Sequence, residues 1–168
     1  NETIEKINKH EFIINDVNSK VVRRNPSAPF TTSTLQQTSS GKYGFGASRT
    51  MQIAQRLYQG IEINGETIGL ITYMRTDGTN ISNEAVKEFR NFVEDDLGKN
   101  YLPETPNSYK GKKAKNAQEA HEAIRPTDIT KKPEEMKKYL STDQFKLYDL
   151  IWSRALASQM KSAEFDRN

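Results

Sequence analysis

Asn25-Pro26-Ser27-Ala28-Pro29 divides this chain into two kinds of pattern. Each proline fixes its own φ and pushes the residue before it out of the helical region, so no regular element crosses the stretch. On its N-terminal side, Glu11 to Arg24 is rich in β-formers: Phe12, Ile13, Ile14, Val17, Val21 and Val22. Asn15-Asp16 and Asn18-Ser19 interrupt them as turn signals, and the segment reads as an extended hairpin. Before it, Glu2 to Lys9 reads as the end of a helix. On the C-terminal side the apolar period lengthens from two to 3.6. The expected class is α+β, mainly α.

Helices are expected at several places beyond the boundary. Thr31 to Ser40 is one, with Ser33 and Gln36 spaced as a capping box. Ala47 to Gly60 is another: Met51, Ala54, Leu57 and Tyr58 share a face, and Gly60 suits a C-terminal cap. Its other side carries Arg49, Gln52 and Arg56, which reads either as a solvated polar face or as a basic stripe toward phosphates. Ser82 caps a helix to about Leu97, with Ala85, Val86, Phe89, Val93 and Leu97 inward. Gly98 to Lys115 reads as a loop holding the basic cluster Lys110, Lys112, Lys113 and Lys115. Ala117 to Ile124 reads as a short helix ended by Pro126. The last long helix opens on a second capping box, Ser141 with Gln144, and buries Phe145, Tyr148, Trp152, Ala155 and Leu156. Ala163 to Arg167 reads as a return to the layer begun by Glu11 to Arg24.

Composition narrows the chemistry. With 168 residues, 34% of them hydrophobic, the chain can bury one modest core. Lys and Arg number 25 against 22 Asp and Glu, a net +3 that mixed surface charge explains as readily as a nucleic-acid partner. The absence of cysteine excludes disulfides and thiolate zinc sites. His10 and His121 are the only histidines, and neither has carboxylates at metal-ligand spacing, so zinc or iron is not expected in this chain. Glu94-Asp95-Asp96 reads as a solvated acidic patch. Gly41 to Gly46 lacks the Lys-Ser/Thr ending of a phosphate loop, so ATP is not expected. No apolar run reaches membrane length and no signal peptide opens the chain, which makes a soluble, cytosolic location the default. The chain starts on Asn1 and reads as a piece of something longer.

Two segments carry possible chemistry. In Gly69-Leu70-Ile71-Thr72-Tyr73-Met74-Arg75-Thr76-Asp77 the composition of Ile68 to Tyr73 predicts a short buried strand that delivers Tyr73. Arg75, two residues on, falls on the same side of an extended backbone. A tyrosine is a poor nucleophile at its free pKa of about 10 and needs a cation beside it. A guanidinium supplies that charge and can also fork onto a phosphate. Phosphodiester transesterification asks for those two parts, although a Tyr-x-Arg pair on a strand is structural far more often than chemical. In Ala120-His121-Glu122-Ala123-Ile124-Arg125-Pro126-Thr127, His121 and Arg125 are four apart, neighbours on a helical turn that together suit a phosphate. An exposed histidine beside an exposed arginine is the plainer reading.

The residues Pro29 to Gln37, Ala47 to Met51 with Ala54-Gln55 and Leu57-Tyr58, Gly69 to Asp77, and Gln118 to Thr127 resemble, in order and interval, the bacterial type IA DNA topoisomerases. The resemblance covers about residues 26 to 128 with strong motifs. It implies that Tyr73 is a nucleophile forming a 5′-phosphotyrosine link and that Arg75 stabilises the attacked phosphate. It implies further that His121 and Thr72 seat the DNA, with Arg125 and Arg49 as additional DNA contacts. Gly78 departs from the family's usual serine, a small-for-small change expected to adjust only the turn. The family's architecture is a torus. Residues 1 to 30 are expected to be the end of its β-rich arch domain, 31 to 160 the mostly helical tyrosine domain, and 161 to 168 the return strand to the arch. Mg²⁺ is implied for the full enzyme, with its ligands in a nucleotidyl-transfer domain outside this chain, and neither ATP nor zinc is implied here. Partners would be single-stranded or negatively supercoiled DNA and the remaining domains of the same polypeptide, without a membrane, in the cytoplasm at the bacterial nucleoid. Without those domains the isolated chain is expected to be inactive. Two rival readings stand beside this one: a non-catalytic single-strand-binding module in which Tyr73 only stacks on a base, and a topoisomerase III or reverse gyrase member of the same group.

Overall fold

A computed structural model describes residues 2–11, 13–109 and 121–167. In chain order the elements are α1 (Glu2–Asn8), β1 (Lys20–Arg24), α2 (Thr32–Tyr43), α3 (Ala47–Gln59), β2 (Ile61–Ile63), β3 (Glu66–Ile68), α4 (Asn83–Asp96), α5 (Pro133–Met136), α6 (Thr142–Ser158) and β4 (Ala163–Arg167). The class is mainly α with short strands. Two compact units result, Asn1–Asn25 with Ser162–Asn168, and Pro26–Lys161.

The smaller unit is a two-stranded antiparallel ribbon with Val22 opposite Phe165. Arg23 Nε donates to Glu164 Oε1 at 2.7 Å, and the Arg24 guanidinium lies 5.4 Å from the Phe165 ring centre. The hairpin expected within Glu11 to Arg24 does not form. Only Lys20–Arg24 is a strand, and its partner comes from the other end of the chain. Ile13, Ile14 and Val17 are left exposed, because a lone ribbon offers no second layer against which to bury them. Phe12 lies outside the described residues.

In the larger unit the helices begin where side chains satisfy their free N–H groups. The capping box of α2 is Thr31 with Thr34, not Ser33 with Gln36: Thr34 N donates to Thr31 Oγ1 at 3.3 Å and Thr31 N to Thr34 Oγ1 at 2.9 Å. The shift has a tertiary cause. Phe30 is held extended by its bridge to Ile124, so the helix starts as soon as the chain is released. In α3, Thr50, Ile53, Ala54 and Leu57 are buried, while Met51 is half-buried and Tyr58 is exposed, so its inward face is centred on Ile53 rather than toward Tyr58. Ser82 caps α4, which buries Ala85, Phe89 and Val93; Leu97 lies past its end and is exposed. The one-turn helix α5, opened by Pro133, was not anticipated from the sequence.

The Ser141–Gln144 capping box opens α6, with Ser141 N donating to Gln144 Oε1 at 2.8 Å. This helix buries Leu147, Tyr148, Ile151, Ala155 and Leu156, whereas Phe145 is only half-buried, with the Lys137 ammonium 5.3 Å from its ring centre. Two apolar clusters meet at Trp152. One gathers Phe30, Leu35, Leu57, Ile71, Ile124 and Ile151; the other gathers Phe89, Val93, Ile129 and Leu156. The indole Nε1 of Trp152 donates to Ile129 O at 2.9 Å. The carbonyls past the end of α6 accept from side chains: Asn107 Nδ2 reaches Ser158 O and Met160 O, and the Tyr109 hydroxyl reaches Ser158 O.

The helix expected over Ala117 to Ile124 is not found in its described part. Residues 121–127 run extended, bridged to Asn80 at Glu122, to Phe30 at Ile124 and to Ile71 at Pro126. Their backbone groups go to three neighbouring segments, which a helix would have forbidden. Residues 110–120, with the expected lysine cluster, lie outside the described residues. The strand expected over Ile68 to Tyr73 instead follows a short hairpin, β2–β3, whose turn residues Asn64 and Gly65 have φ of 53° and 89°. That Asn-Gly pair is the signal that marks such a turn.

Candidate active site

Gly69 to Asp77 is bonded from both flanks, runs non-helical and bends at Met74. On one side Leu70 N donates to Leu57 O at 2.8 Å, Thr127 N to Leu70 O at 3.1 Å and Thr72 N to Arg125 O at 2.9 Å. On the other, the Thr32 hydroxyl donates to Met74 O at 2.7 Å and accepts from Thr76 N at 2.8 Å. Burial alternates along the segment: Met74 and Thr76 point inward, while Tyr73, Arg75 and Asp77 are exposed. The three exposed side chains thus alternate with buried neighbours, with the bend at Met74 between Tyr73 and Arg75.

Tyr73 is 50% exposed and its ring meets that of Tyr58 at 5.4 Å with an interplanar angle of 65°. Such edge contacts favour one ring orientation by about 0.5–1.5 kcal/mol. Gly69 makes the approach possible, since a Cβ there would lie 2.6 Å from Tyr58 O and push the last turn of α3 away. His121 Nδ1 lies 3.5 Å from Asp77 Oδ1, so His121 joins the Tyr73 side through Asp77. Its backbone crosses directly over Gly78, where a Cβ would stand 1.7 Å from His121 O. The serine usual at that place does not fit this backbone, so Gly78 is more than a change of turn.

The remaining expected contacts are engaged elsewhere. Thr72 Oγ1 donates to Ala123 O at 2.8 Å and accepts from Arg125 N at 3.0 Å, which fastens the two extended segments together. Arg125 and His121 do not form a helical pair, because their segment is extended. The Arg125 guanidinium grips Glu122 at 2.7 and 3.2 Å and donates to Pro126 O at 3.0 Å. Arg49 donates to Asp143 Oδ2 at 2.6 Å and lies 4.9 Å from the Phe45 ring centre.

A family model described as DNA topoisomerase matches residues 1–168. This chain belongs to the bacterial type IA DNA topoisomerases. Among similar members of the family, DNA topoisomerase 1 of Rickettsia felis is 51% identical over 162 residues, 96% of this chain and 21% of that protein. DNA topoisomerase 1 of Xylella fastidiosa is 50% identical over 158 residues, 94% of this chain and 19% of that protein. The solved full-length topoisomerase I from Thermotoga maritima superposes with a TM-score of 0.82 at 43% identity, covering 98% of this chain and 26% of that one. The chain thus spans about a fifth of the length of the curated topoisomerases it matches.

Two residues of this topoisomerase chain escaped the sequence reading. Helical spacing puts Tyr58 near the apolar face of α3, yet its ring is exposed. Nothing local marks Glu122, because it pairs with Arg125 on an extended segment and not on a helical turn. Its carboxylate accepts from Ser82 N at 2.9 Å as well as from Arg125, and so ties the His121 segment to the start of α4. Burial opposes its ionisation, but the bonds from Arg125 and Ser82 outweigh burial and hold its pKa below the ordinary 4.5. A depressed folded pKa gives stability that is complete above the ordinary carboxylate range and is lost as the pH falls through the folded value. Glu122→Gln is expected to cost about 1–3 kcal/mol at neutral pH, because it weakens the partner of a nearly buried guanidinium. The deficit should shrink in acid, as urea denaturation at the two pH values would report. A deficit that does not change with pH would sink this account.

Proposed function

We propose that the parent enzyme breaks and rejoins one DNA strand through Tyr73, without ATP, and thereby relaxes negative supercoils. The observation that carries this reading is the exposure of both Tyr73 and Arg75, two residues apart on a segment that hydrogen bonds fasten from both flanks. The phenolic oxygen attacks a backbone phosphorus and the 3′-oxygen of the neighbouring nucleotide leaves. A P–O bond to Tyr73 forms, a P–O bond to the sugar breaks, and the phenol's proton ends on the 3′-hydroxyl. Arg75 holds the non-bridging oxygens as charge builds on them. Another strand passes, then the 3′-hydroxyl attacks the phosphotyrosine and restores both groups. The bond energy is kept in the covalent link throughout, which removes the need for a nucleotide cofactor. His121 orients the DNA beside Asp77. Thr72 serves by holding the segment, and Arg49 and Arg125, each paired with a carboxylate, are weaker candidates for DNA contact.

The substrate is a single-stranded stretch of negatively supercoiled DNA, held by phosphate contacts and base stacking. The smaller unit is read as the edge of the arch domain and the larger as the tyrosine domain that swings to open the gate. The exposed Ile13, Ile14, Val17 and Val21 support this, since they need cover that other domains of the polypeptide would provide. The family implies Mg²⁺, yet among the described residues no three His, Cys, Asp or Glu side chains group to hold a metal. Asp77, the carboxylate nearest in sequence to Tyr73, faces His121. Asp77 by itself does not fit an ion, and the family resemblance assigns the Mg²⁺ ligands to another domain of the enzyme. No helix among the described residues is long and apolar enough to cross a membrane, and a cytoplasmic location suits a DNA substrate.

The test traps the parent enzyme on a labelled single-stranded oligonucleotide with denaturant and digests the adduct. The label is expected on the peptide containing Tyr73, joined through a 5′-phosphate. Label on another peptide, or no adduct despite tight binding, would refute the reading.

A further inference from the structure

An open groove of about 690 Å³ runs between α3 and the residues that follow Tyr73. Gln52, Gln55, Arg56 and Gln59 form its helical wall, and Met74 and Arg75 face them. The positions 52, 55, 56 and 59 recur at helical spacing on the side away from the buried Ile53 and Leu57, so the wall is one continuous face. Ser48 and Met51 complete the lining, and among the described residues no carboxylate lines this groove. Arg23, Arg49 and Arg125 are each paired with an acid, whereas Arg56 and Arg75 make no ion pair among the described residues. Two uncommitted guanidiniums in one trough, with amide side chains between, suit a chain of phosphates carrying bases of any sequence.

We propose that the DNA strand attacked by Tyr73 continues along this groove, with Arg56 and Arg75 on its phosphates and the glutamines along its sugars and base edges. The proposal rests on the Tyr73 reading and adds the direction in which the strand leaves the site. The occupant follows from two observations: the lining is cationic without acids, and Met74 and Arg75 belong both to the groove and to the nucleophile's segment. A strand with one phosphate at Tyr73 therefore meets the groove at the adjoining residues.

The experiment measures binding of a labelled single-stranded oligonucleotide to the full parent enzyme over a series of salt concentrations. Arg56→Gln is expected to flatten the slope of log affinity against log salt by about 0.7, the contribution of one phosphate contact on a single strand. Affinity at low salt should fall roughly fivefold, the scale of one exposed ionic contact. Arg56→Lys keeps the charge and should keep most of the slope. The adduct at Tyr73 is scored in parallel in the wild type at saturating oligonucleotide. An unchanged slope in Arg56→Gln overturns the groove whatever the adduct does. So does a fall in the parent's melting temperature with no change of slope, which would mean that another domain of the polypeptide covers this face. Absence of a Tyr73 adduct in the wild type instead overturns the site reading itself.

Discussion

Replacing Tyr73 with phenylalanine is expected to abolish the covalent adduct between the parent enzyme and DNA while leaving the fold and strand affinity nearly unchanged. The substitution removes one oxygen. Half of the residue faces solvent, and the ring's edge contact with Tyr58 needs no hydroxyl, so the structural cost should stay within about 0.5 kcal/mol. Chemistry has no such tolerance. The attacking atom itself is gone, and neighbouring groups only stabilise a bond that can no longer form, so cleavage should fall by at least about four orders of magnitude. A phenyl ring still stacks on a base. If Tyr73 were only a stacking platform, the variant would behave like the wild type. Gel detection of the trapped adduct beside an equilibrium binding curve separates the two cases, and a surviving adduct would reject Tyr73 as nucleophile.

The second large effect is expected at Gly78. A side-chain carbon there would sit 1.7 Å from His121 O and 2.6 Å from His121 C, both backbone atoms that no rotamer change can move. Gly78→Ser should therefore cost about 3 kcal/mol, in the upper range for overpacking. For a chain of this size that is a drop of roughly 6–12 °C in melting temperature. Any relief requires the 121–123 segment to lift, which breaks the Ala123 N to Asn80 O bond of 2.8 Å and the Glu122 grip on Ser82 N. His121 would then leave Asp77. Gly78→Ala places the same carbon and should match the serine variant, which assigns the effect to Cβ and not to the hydroxyl. Calorimetry together with the His121 ring resonances checks this; an unshifted melting temperature with unshifted resonances would contradict it.

These two positions differ in how they were legible. The exposure of Tyr73 and Arg75 on either side of buried Met74 was readable because alternation in a non-helical segment is a local property. The family pattern then singled out that pair from the many like it. Nothing local marks Gly78. Its neighbour is His121, which reaches it only because three other segments hold 121–127 extended. The same cause undid the helical pairing of His121 with Arg125, since periodicity within the segment said nothing of the backbone partners waiting at Asn80, Phe30 and Ile71. Tyr58 shows the limit from the other side. Helical spacing placed it near the apolar face, but the packing of α3 buries Ile53 and leaves Tyr58 exposed, against Tyr73.

By itself the sequence determined where α3, α4 and α6 run and that Ser82 and Ser141 start two of them. Those features depend on caps and side-chain periods a few residues long, and their physics is complete within the segment. Only the tertiary structure decided which strands pair, which arginines remain free and which close contacts require glycine. β1 found its partner at β4, and Arg49 and Arg125 pair with Asp143 and Glu122, while Arg56 and Arg75 make no ion pair among the described residues. Such outcomes depend on groups far apart in the chain meeting in space, and no local pattern carries that information.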